Sequence, residues 1–176
     1  MKLILLTIVL ITQLLFFSQS SKVRADIPQV MVEKILSKDY AIARKALTEN
    51  QVKRDTVAVC LSLKNQMLEI KLLAASALRS IKDKSSVECL IRALKENQIP
   101  HPGGTEDRIL QDEIDENIVL ALQELIEIKV PPQNKKQIKN PIIKKSAFTR
   151  DQVSEVIRMS EVWLAKKNYP NKSKKR

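Results

Sequence analysis

Few residue types capable of catalysis occur in this chain, and its one histidine is the first to consider. His101 lies between two prolines in the run 99–104, Ile-Pro-His-Pro-Gly-Gly. Acid–base or nucleophilic catalysis would need a second polar group that orients the imidazole. The sequence contains no HExxH, CxxC or GxSxG motif and no phosphate-binding glycine loop. We therefore expect His101 to be a loop residue and the protein to be non-enzymatic, with no cofactor and no metal.

A second candidate is the acidic run Asp112, Glu113, Asp115 and Glu116. Asp112 and Glu116 are four residues apart, so they share one face of a helix. Such carboxylates could bind a hard cation, but the glycine-containing ligand spacing of a dedicated calcium loop is absent. The run therefore indicates a solvated acidic face rather than a metal site.

The first 25 residues predict export. Lys2 is followed by the apolar run 3–17, and Val23-Arg24-Ala25 fits a signal peptidase site. An uncleaved membrane anchor is the alternative, because residues 3–21 carry no charge and approach the length of a membrane span. We expect residues 1–25 to be a cleaved signal peptide and the mature chain to be periplasmic or secreted.

The composition of the remaining chain favours helices. Glycine occurs twice and aromatic residues make up 3% of the chain, which is poor material for a sheet. Alanine, leucine, isoleucine, lysine and glutamate dominate, and most of these residues lose little side-chain freedom in a helix. We expect one all-α domain of ordinary size.

The net charge of +11 is confined to the C-terminal part of the chain. Residues 1–128 hold 17 basic and 17 acidic side chains, whereas residues 129–176 hold 14 basic and 3 acidic ones. Within the neutral part, residues 106–127 contain eight acidic side chains and one basic one, Arg108. The sequence therefore combines an acidic segment with a basic C-terminal region.

An internal repeat organises the middle of the chain. A shift of 31 residues aligns 40–47 and 55–63 with 71–78 and 86–94, and a later copy follows at an offset of 44. Small and large apolar residues keep their places, as they must if each helix packs in the same way. Thirteen residues, near 98–110, are thus inserted before the third copy.

The segment Glu69–Leu94 carries an A-x-x-A-L core, a short turn with Asp83, and a V-x-x-L-I-x-A-L helix. It resembles the HEAT-like repeat of the phycobilisome-lyase type. The resemblance implies stacked antiparallel helix pairs and a protein-binding surface. Lyase members of that family act on bilins, a function that nothing in this sequence indicates.

Local signals predict the helices of a HEAT-like domain over residues 26–128. A stripe at Ile70, Leu73, Ala74, Ala77, Leu78 and Ile81 predicts one helix, and another at Ile114, Ile118, Leu122 and Leu125 predicts a second. Ser85 and Glu88 form a capping-box pattern, and Pro28, Asp55 and Thr105 mark further helix starts. We expect a short α-solenoid of about three antiparallel pairs, 28–37 with 39–50, 55–65 with 68–82, and 85–97 with 106–128.

Residues 129–147 follow the predicted helix pairs and are predicted to form a basic, proline-containing linker. Thr149 and Gln152 form a second capping box, and Phe148 with Val153 a hydrophobic staple, at the start of an amphipathic helix over 148–168. One face of this helix carries Val153, Val156, Ile157, Ser160, Trp163 and Leu164, with Trp163 as the aromatic anchor. We expect this helix to cap the last pair, with binding of a partner or a membrane surface as the alternative, and residues 169–176 to be a basic tail.

The chain has two cysteines, Cys60 and Cys89. Export would favour a disulfide between them. The repeat places them on equivalent helices of neighbouring pairs, whose axes are typically about 8 to 10 Å apart, whereas a disulfide needs Cα atoms within about 7 Å. This argument favours two buried thiols and leaves the disulfide as the alternative.

These patterns predict a binding or scaffold protein with a protein partner. The partner-binding edge is expected in the inserted segment and the acidic helix, with the aromatic anchor of the C-terminal helix as a further contact. Its residues are His101, Gly103, Gly104, Asp107, Asp112, Glu113, Glu116 and Trp163.

An anionic lipid or polymer of the cell envelope is the alternative partner. Its contacts would be the linker lysines Lys135, Lys136, Lys139, Lys144 and Lys145. The lack of aromatic residues among these lysines disfavours nucleic acid. The oligomeric state stays open.

Overall fold

The computed structural model describes residues 27–98, 104–131 and 147–168, and within these ranges the regular elements are all helical. The α-helices are α1 (Gln29–Ile35), α2 (Tyr40–Val52), α3 (Thr56–Ser62), α4 (Leu68–Ile81), α5 (Val87–Asn97), α6 (Thr105–Ile126) and α7 (Arg150–Asn168). The all-α prediction is confirmed for this part of the chain. The predicted signal peptide, most of the predicted linker and the basic tail lie outside it.

Consecutive helices pack together along the chain. Helix α1 contacts α2, α3 contacts α4, and α5 contacts α6. Helices α2, α4 and α6 also contact one another in that order, and the α4–α6 contact is the most extensive. Helix α7 packs against both α5 and α6. The fold therefore has one end formed by α1 and α2 and another end covered by α7.

The main core lies around α4 and α6. The four apolar residues that predicted α6 are all buried, as are five of the six that predicted α4. The exception is Leu73, which is 38% exposed, whereas Leu68 and Ala75 are buried, so the buried face of α4 is rotated away from Leu73 relative to the predicted stripe. Alanines at 74, 75 and 77 are buried on α4, and small side chains of this kind let neighbouring helices approach closely.

A second, smaller core holds α1 in place. Ile35, Ala46 and Ala58 form a separate buried cluster that joins α1, α2 and α3. Asn65, 1% exposed, donates from Nδ2 to the Ile35 carbonyl oxygen at 2.7 Å and accepts at Oδ1 from the Met67 amide at 2.9 Å. A buried amide satisfied in this way fixes the end of α1 against the start of α4.

Aspartates and one capping box start several helices. The Asp39 carboxylate accepts from the Ala41 and Ile42 amides before α2. The Asp55 carboxylate accepts from the Ala58 amide at 3.0 Å, which confirms the predicted start of α3. Before α7, the Thr149 amide donates to Gln152 Oε1 and the Gln152 amide donates to Thr149 Oγ1, so the second predicted capping box is also confirmed.

The capping box predicted at Ser85 and Glu88 is wrong. The Asp83 carboxylate accepts from the Ser85 amide at 2.8 Å and begins a short 3₁₀ turn, Lys84–Ser86, so that α5 starts only at Val87. Glu88 instead accepts from Arg92 one turn later. An aspartate two residues upstream therefore outcompetes the serine as the helix-starting acceptor.

Three helices end in a left-handed residue that is not glycine. The φ angles are 55° at Arg54, 56° at Lys82 and 60° at Glu127, directly after α2, α4 and α6 or one residue further on. Side chains with a Cβ occupy this region at some cost. The same turn thus recurs at the ends of the three helices that contact one another in sequence.

Cys60 and Cys89 form a disulfide, with Cα atoms 5.9 Å apart. The expectation of two buried thiols is therefore wrong. That expectation compared the distance between two helix axes with a limit that applies to the distance between two Cα atoms. Because Cα atoms lie about 2.3 Å from a helix axis, two that face each other are roughly 4 to 5 Å closer than the axes are. The bond links α3 to α5.

Candidate partner-binding site

The acidic part of the predicted edge lies on the N-terminal half of α6. Gly104 precedes the helix, and Glu106 and Asp107 lie in its first turn, where carboxylates offset the positive end of the helix dipole. Gly104 has a φ of −73°, and an added Cβ would meet no atom within 4 Å, so its backbone does not require glycine. His101 and Gly103 lie outside the described residues.

Asp112 and Glu116 occupy one face of α6, one turn apart, as their spacing predicted. Asp112 is exposed and Glu116 is half-buried. Desolvation raises the pKa of Asp112, and the charge of the nearby Arg150 guanidinium acts in the opposite direction. Glu113, also half-buried, lies on the neighbouring face, where its backbone carbonyl accepts from Asn117 Nδ2 at 2.9 Å.

Asp115 is the member of the acidic run that the structure singles out. Its Oδ1 accepts from Asn97 Nδ2 at 2.9 Å, and Gln111 Nε2 donates to the Asn97 carbonyl at 3.1 Å. Asp115 is half-buried where the end of α5, the first half of α6 and the start of α7 meet. Desolvation, with help from the Asp112 charge, raises its pKa to about 6, against the Asn97 hydrogen bond and the Arg150 charge.

The predicted partner-binding edge leaves out Asp115, although the sequence contains a signal that this residue differs from its neighbours. Asp115 precedes the buried residues Ile118 and Val119 by three and four positions, so it lies on the buried side of α6. A carboxylate in such a register is desolvated once another helix covers it. Asp115 therefore belongs to the junction between helices more than to the exposed edge.

Helix α7 is docked by its apolar face. Val153, Val156, Ile157 and Ser160 are buried. Lys95 of α5 forms an ion pair with Glu161, and Gln152 Nε2 donates to the Pro131 carbonyl at 2.6 Å. In the described structure this helix covers the last helices of the domain, as predicted.

Trp163 is only partly available to a partner. Its ring is half-buried and packs against the main core, and Lys167 Nζ lies 5.3 Å from the ring centroid. The structure thus uses part of the ring within the chain, and Trp163 lies in the second half of α7, 13 residues after Arg150. Asp112 and Asp115, in contrast, lie within electrostatic reach of Arg150 at the start of α7.

The five lysines of the alternative site, Lys135, Lys136, Lys139, Lys144 and Lys145, lie outside the described residues. Over the ranges that are described, no group of three or more histidine, cysteine, aspartate or glutamate side chains could hold a metal ion. No described helix is both long enough and apolar enough to cross a membrane.

Comparison of the chain with protein-family models, with curated proteins and with solved structures finds no match. A function for this chain is therefore inferred from its own residues and their arrangement.

Proposed function

We propose that the protein is a non-enzymatic, protein-binding scaffold outside the cytoplasm, built as a short α-solenoid of HEAT-like helix pairs. One observation carries this proposal: positions 31 residues apart share the same burial. Ala43 and Ala74, Leu47 and Leu78, Val59 and Leu90, and Leu63 and Leu94 are all at most 4% exposed. Repeats that stack on one another require this equivalence.

The order of the helix contacts supports the same architecture. Helices α2, α4 and α6 contact in sequence, and each is followed by a left-handed turn at Arg54, Lys82 or Glu127. Neighbouring turns are also bonded to each other. Arg54 Nη2 donates to the Ile81 carbonyl at 2.7 Å, and Thr56 Oγ1 donates to Asp83 Oδ2 at 2.8 Å. Contacts of this kind join one helix pair to the next.

Two independent features support the proposed location of the protein outside the cytoplasm. The N-terminal sequence has the pattern of a secretory signal. The disulfide between Cys60 and Cys89 belongs to an oxidising compartment, because cytosolic thiols are kept reduced.

The partner is expected to be a basic protein that contacts the first half of α6. Asp112 and Glu116 share a face there, Asp107 and Glu113 lie nearby on the same helix, and Gly104 leads into it from the inserted segment. An insertion in one repeat of a stack is placed at an edge, where it is free to contact a partner. His101 and Gly103 belong to this insertion in the sequence.

Photo-crosslinking in the host cell tests this proposal. A photoreactive residue at Asp112 or Glu116 is expected to give a discrete adduct with a basic protein, identified by mass spectrometry. The same residue at Glu69, an exposed acidic position on α4, serves as the matched control. Adducts that are the same at all three positions, or that are absent at 112 and 116, would contradict a partner-binding edge on α6.

A second candidate function is retention at an anionic lipid or polymer through the basic C-terminal region. It is favoured by the 14 basic and 3 acidic side chains of residues 129–176. Truncation after Lys129 does not test it cleanly, because α7 is part of the packed fold.

A cleaner test replaces the linker lysines by glutamine at 135, 136, 139, 144 and 145. Binding to phosphatidylglycerol vesicles is expected to fall and to lose its dependence on salt concentration. The control carries the same five-charge change on exposed lysines of the helical part, at 34, 38, 53, 64 and 84. Equal losses in the two variants would show a nonspecific effect of net charge and remove this candidate.

A further inference from the structure

Exposed large apolar side chains are concentrated at the α1–α2 end of the described structure. Six of the eight lie between residues 30 and 57: Val30, Leu36, Tyr40, Ile42, Val52 and Val57. Val52 is 79% exposed and Ile42 is 46% exposed, and both lie on α2. Apolar side chains gathered on a surface mark an interaction site more often than isolated ones do.

The exposed side of α2 carries a regular pattern. Its buried side consists of Ala43, Ala46, Leu47 and Asn50, which face α1, α3 and α4. The opposite side carries Ile42, Lys45, Glu49 and Val52, all exposed. At 3.6 residues per turn these four positions fall within an arc of about 80°. They form one stripe, which we call the outer stripe of α2.

The outer stripe is symmetric in its chemistry. Ile42 and Val52 lie five residues either side of Leu47, and Lys45 and Glu49 lie two residues either side of it. If the direction of the helix is reversed, Ile42 and Val52 exchange positions, and so do Lys45 and Glu49. An aliphatic side chain then replaces an aliphatic one, and each charge is replaced by the opposite charge. The stripe is complementary to itself when two copies of α2 lie antiparallel.

We propose that the outer stripe of α2 binds a second copy of this chain across a two-fold axis near Leu47. In this arrangement Lys45 of each copy faces Glu49 of the other, and Ile42 faces Val52. Each contact is made twice, as an isologous interface requires. The proposal goes beyond the protein-binding function, which rests on α6.

A dimer of this kind is small and depends on concentration. The stripe is one helix face, with aliphatic contacts at two points about 15 Å apart along the helix and a doubled ion pair between them. Interfaces of this extent belong to the weak, transient class. Opposite charges in the centre fix the antiparallel direction, since parallel copies would place like charges together.

Sedimentation velocity of residues 26–176, which lack the predicted signal peptide, and of their charge variants tests the proposal. The native chain is expected to show a reversible monomer–dimer equilibrium. Lys45→Glu alone and Glu49→Lys alone each place four like charges at the axis, and each is expected to weaken dimerisation about tenfold or more. Mixing the two variants is expected to restore the dimer, because each copy then carries the charges opposite to those of the other.

Lys84→Glu, an exposed reversal in the turn before α5, is the control and is expected to leave the equilibrium unchanged. Circular dichroism checks that every variant is folded, which is expected because both side chains are exposed. A native chain that stays monomeric up to about 1 mM would overturn the proposal and leave the stripe to another partner. A dimer that Lys45→Glu and Glu49→Lys leave unchanged, or that mixing fails to restore, would also overturn it.

Discussion

The two ends of the fold differ in how their apolar residues are covered. At the α6 end, α7 buries Val153, Val156 and Ile157 against α5 and α6. At the α1–α2 end, Val30 and Val52 are 62% and 79% exposed. Within the described residues, α7 thus covers one end of the fold, whereas the other end presents exposed apolar side chains. The same substitution should therefore lower the free energy of unfolding strongly at the α6 end and only slightly at the α1–α2 end.

The largest difference is expected for a valine-to-aspartate change. Val156→Asp places a charge in a fully buried site between helices and should lower the free energy of unfolding by about 3 kcal/mol or more. Val30→Asp, at the exposed end, should change it by no more than about 0.5 kcal/mol. Urea denaturation followed by circular dichroism measures both. Similar losses at the two sites would refute the contrast between a covered and an open end.

The disulfide lies between the two ends, because it links α3, which packs against α1 and α2, to α5, which packs against α7. Cys60→Ser should lower the free energy of unfolding by about 3 to 4 kcal/mol, since the bond closes a loop with a sequence separation of 29. Hydrogen exchange should show α3 opening more readily than α7, which keeps its contacts with α5 and α6. A reducing agent should reproduce the effect in the native chain and have none in the variant.

Asp115 makes the covered end sensitive to pH. Its pKa is raised from 3.8 to about 6, so the folded state holds the proton more tightly than the unfolded state does. Ionised Asp115 destabilises the fold above about pH 6, and this penalty is relieved as the pH falls from 6 towards 4. Unfolding free energy should therefore rise by about 1 to 2 kcal/mol between about pH 7 and pH 5.

Asp115→Asn should remove most of this dependence and raise stability near pH 7, because the amide oxygen can still accept from Asn97. Asp112 also has a raised pKa, so it acts in the same direction and accounts for the dependence that remains in this variant. Asp83 and Glu124 have lowered pKa values, so their contributions are lost only below about pH 4.5, outside this window. Denaturation curves at several pH values provide the measurement. A stability that fails to rise from pH 7 to pH 5, or that rises equally in Asp115→Asn, would count against the assignment.

The smallest expected effect concerns two buried serines. Ser160 on α7 is fully buried, and its hydroxyl has no hydrogen-bond partner within the described residues. Ser62 on α3 is also buried, and its hydroxyl donates to the Ala58 carbonyl at 3.3 Å. Ser160→Ala should raise the free energy of unfolding by about 0.5 to 1 kcal/mol, and Ser62→Ala should leave it unchanged or lower it slightly. Thermal denaturation of the two variants measures whether stability rises in the first and is unchanged or lower in the second.

Periodicity was enough to predict the helices and the main core. Ile114, Ile118, Leu122 and Leu125 recur at helical spacing and are all buried. The starts at Asp55 and Thr149 were predictable because the acceptor and the amide that it binds are within three residues of each other. Information of this kind is local, so the sequence contains it.

Features that depend on tertiary packing were not predictable in the same way. The raised pKa of Asp115 requires α6 to be covered where it meets α5 and α7, which its own neighbours in the sequence do not reveal. The disulfide was disfavoured because helix axes were considered instead of the facing Cα atoms. The symmetry of the outer stripe was present in the sequence, but only the exposure of Ile42 and Val52 distinguishes it from a buried face.

The hydrogen bond from Gln152 to the Pro131 carbonyl has a consequence for protein engineering. It holds the end of the segment after α6 next to the start of α7, so the two points that residues 132–146 connect are already close in space. The closure entropy of a connection varies slowly with its length. The chain should therefore tolerate lengthening, cleavage or new termini between residues 132 and 146, and a separate peptide of residues 147–176 should reassemble with the rest.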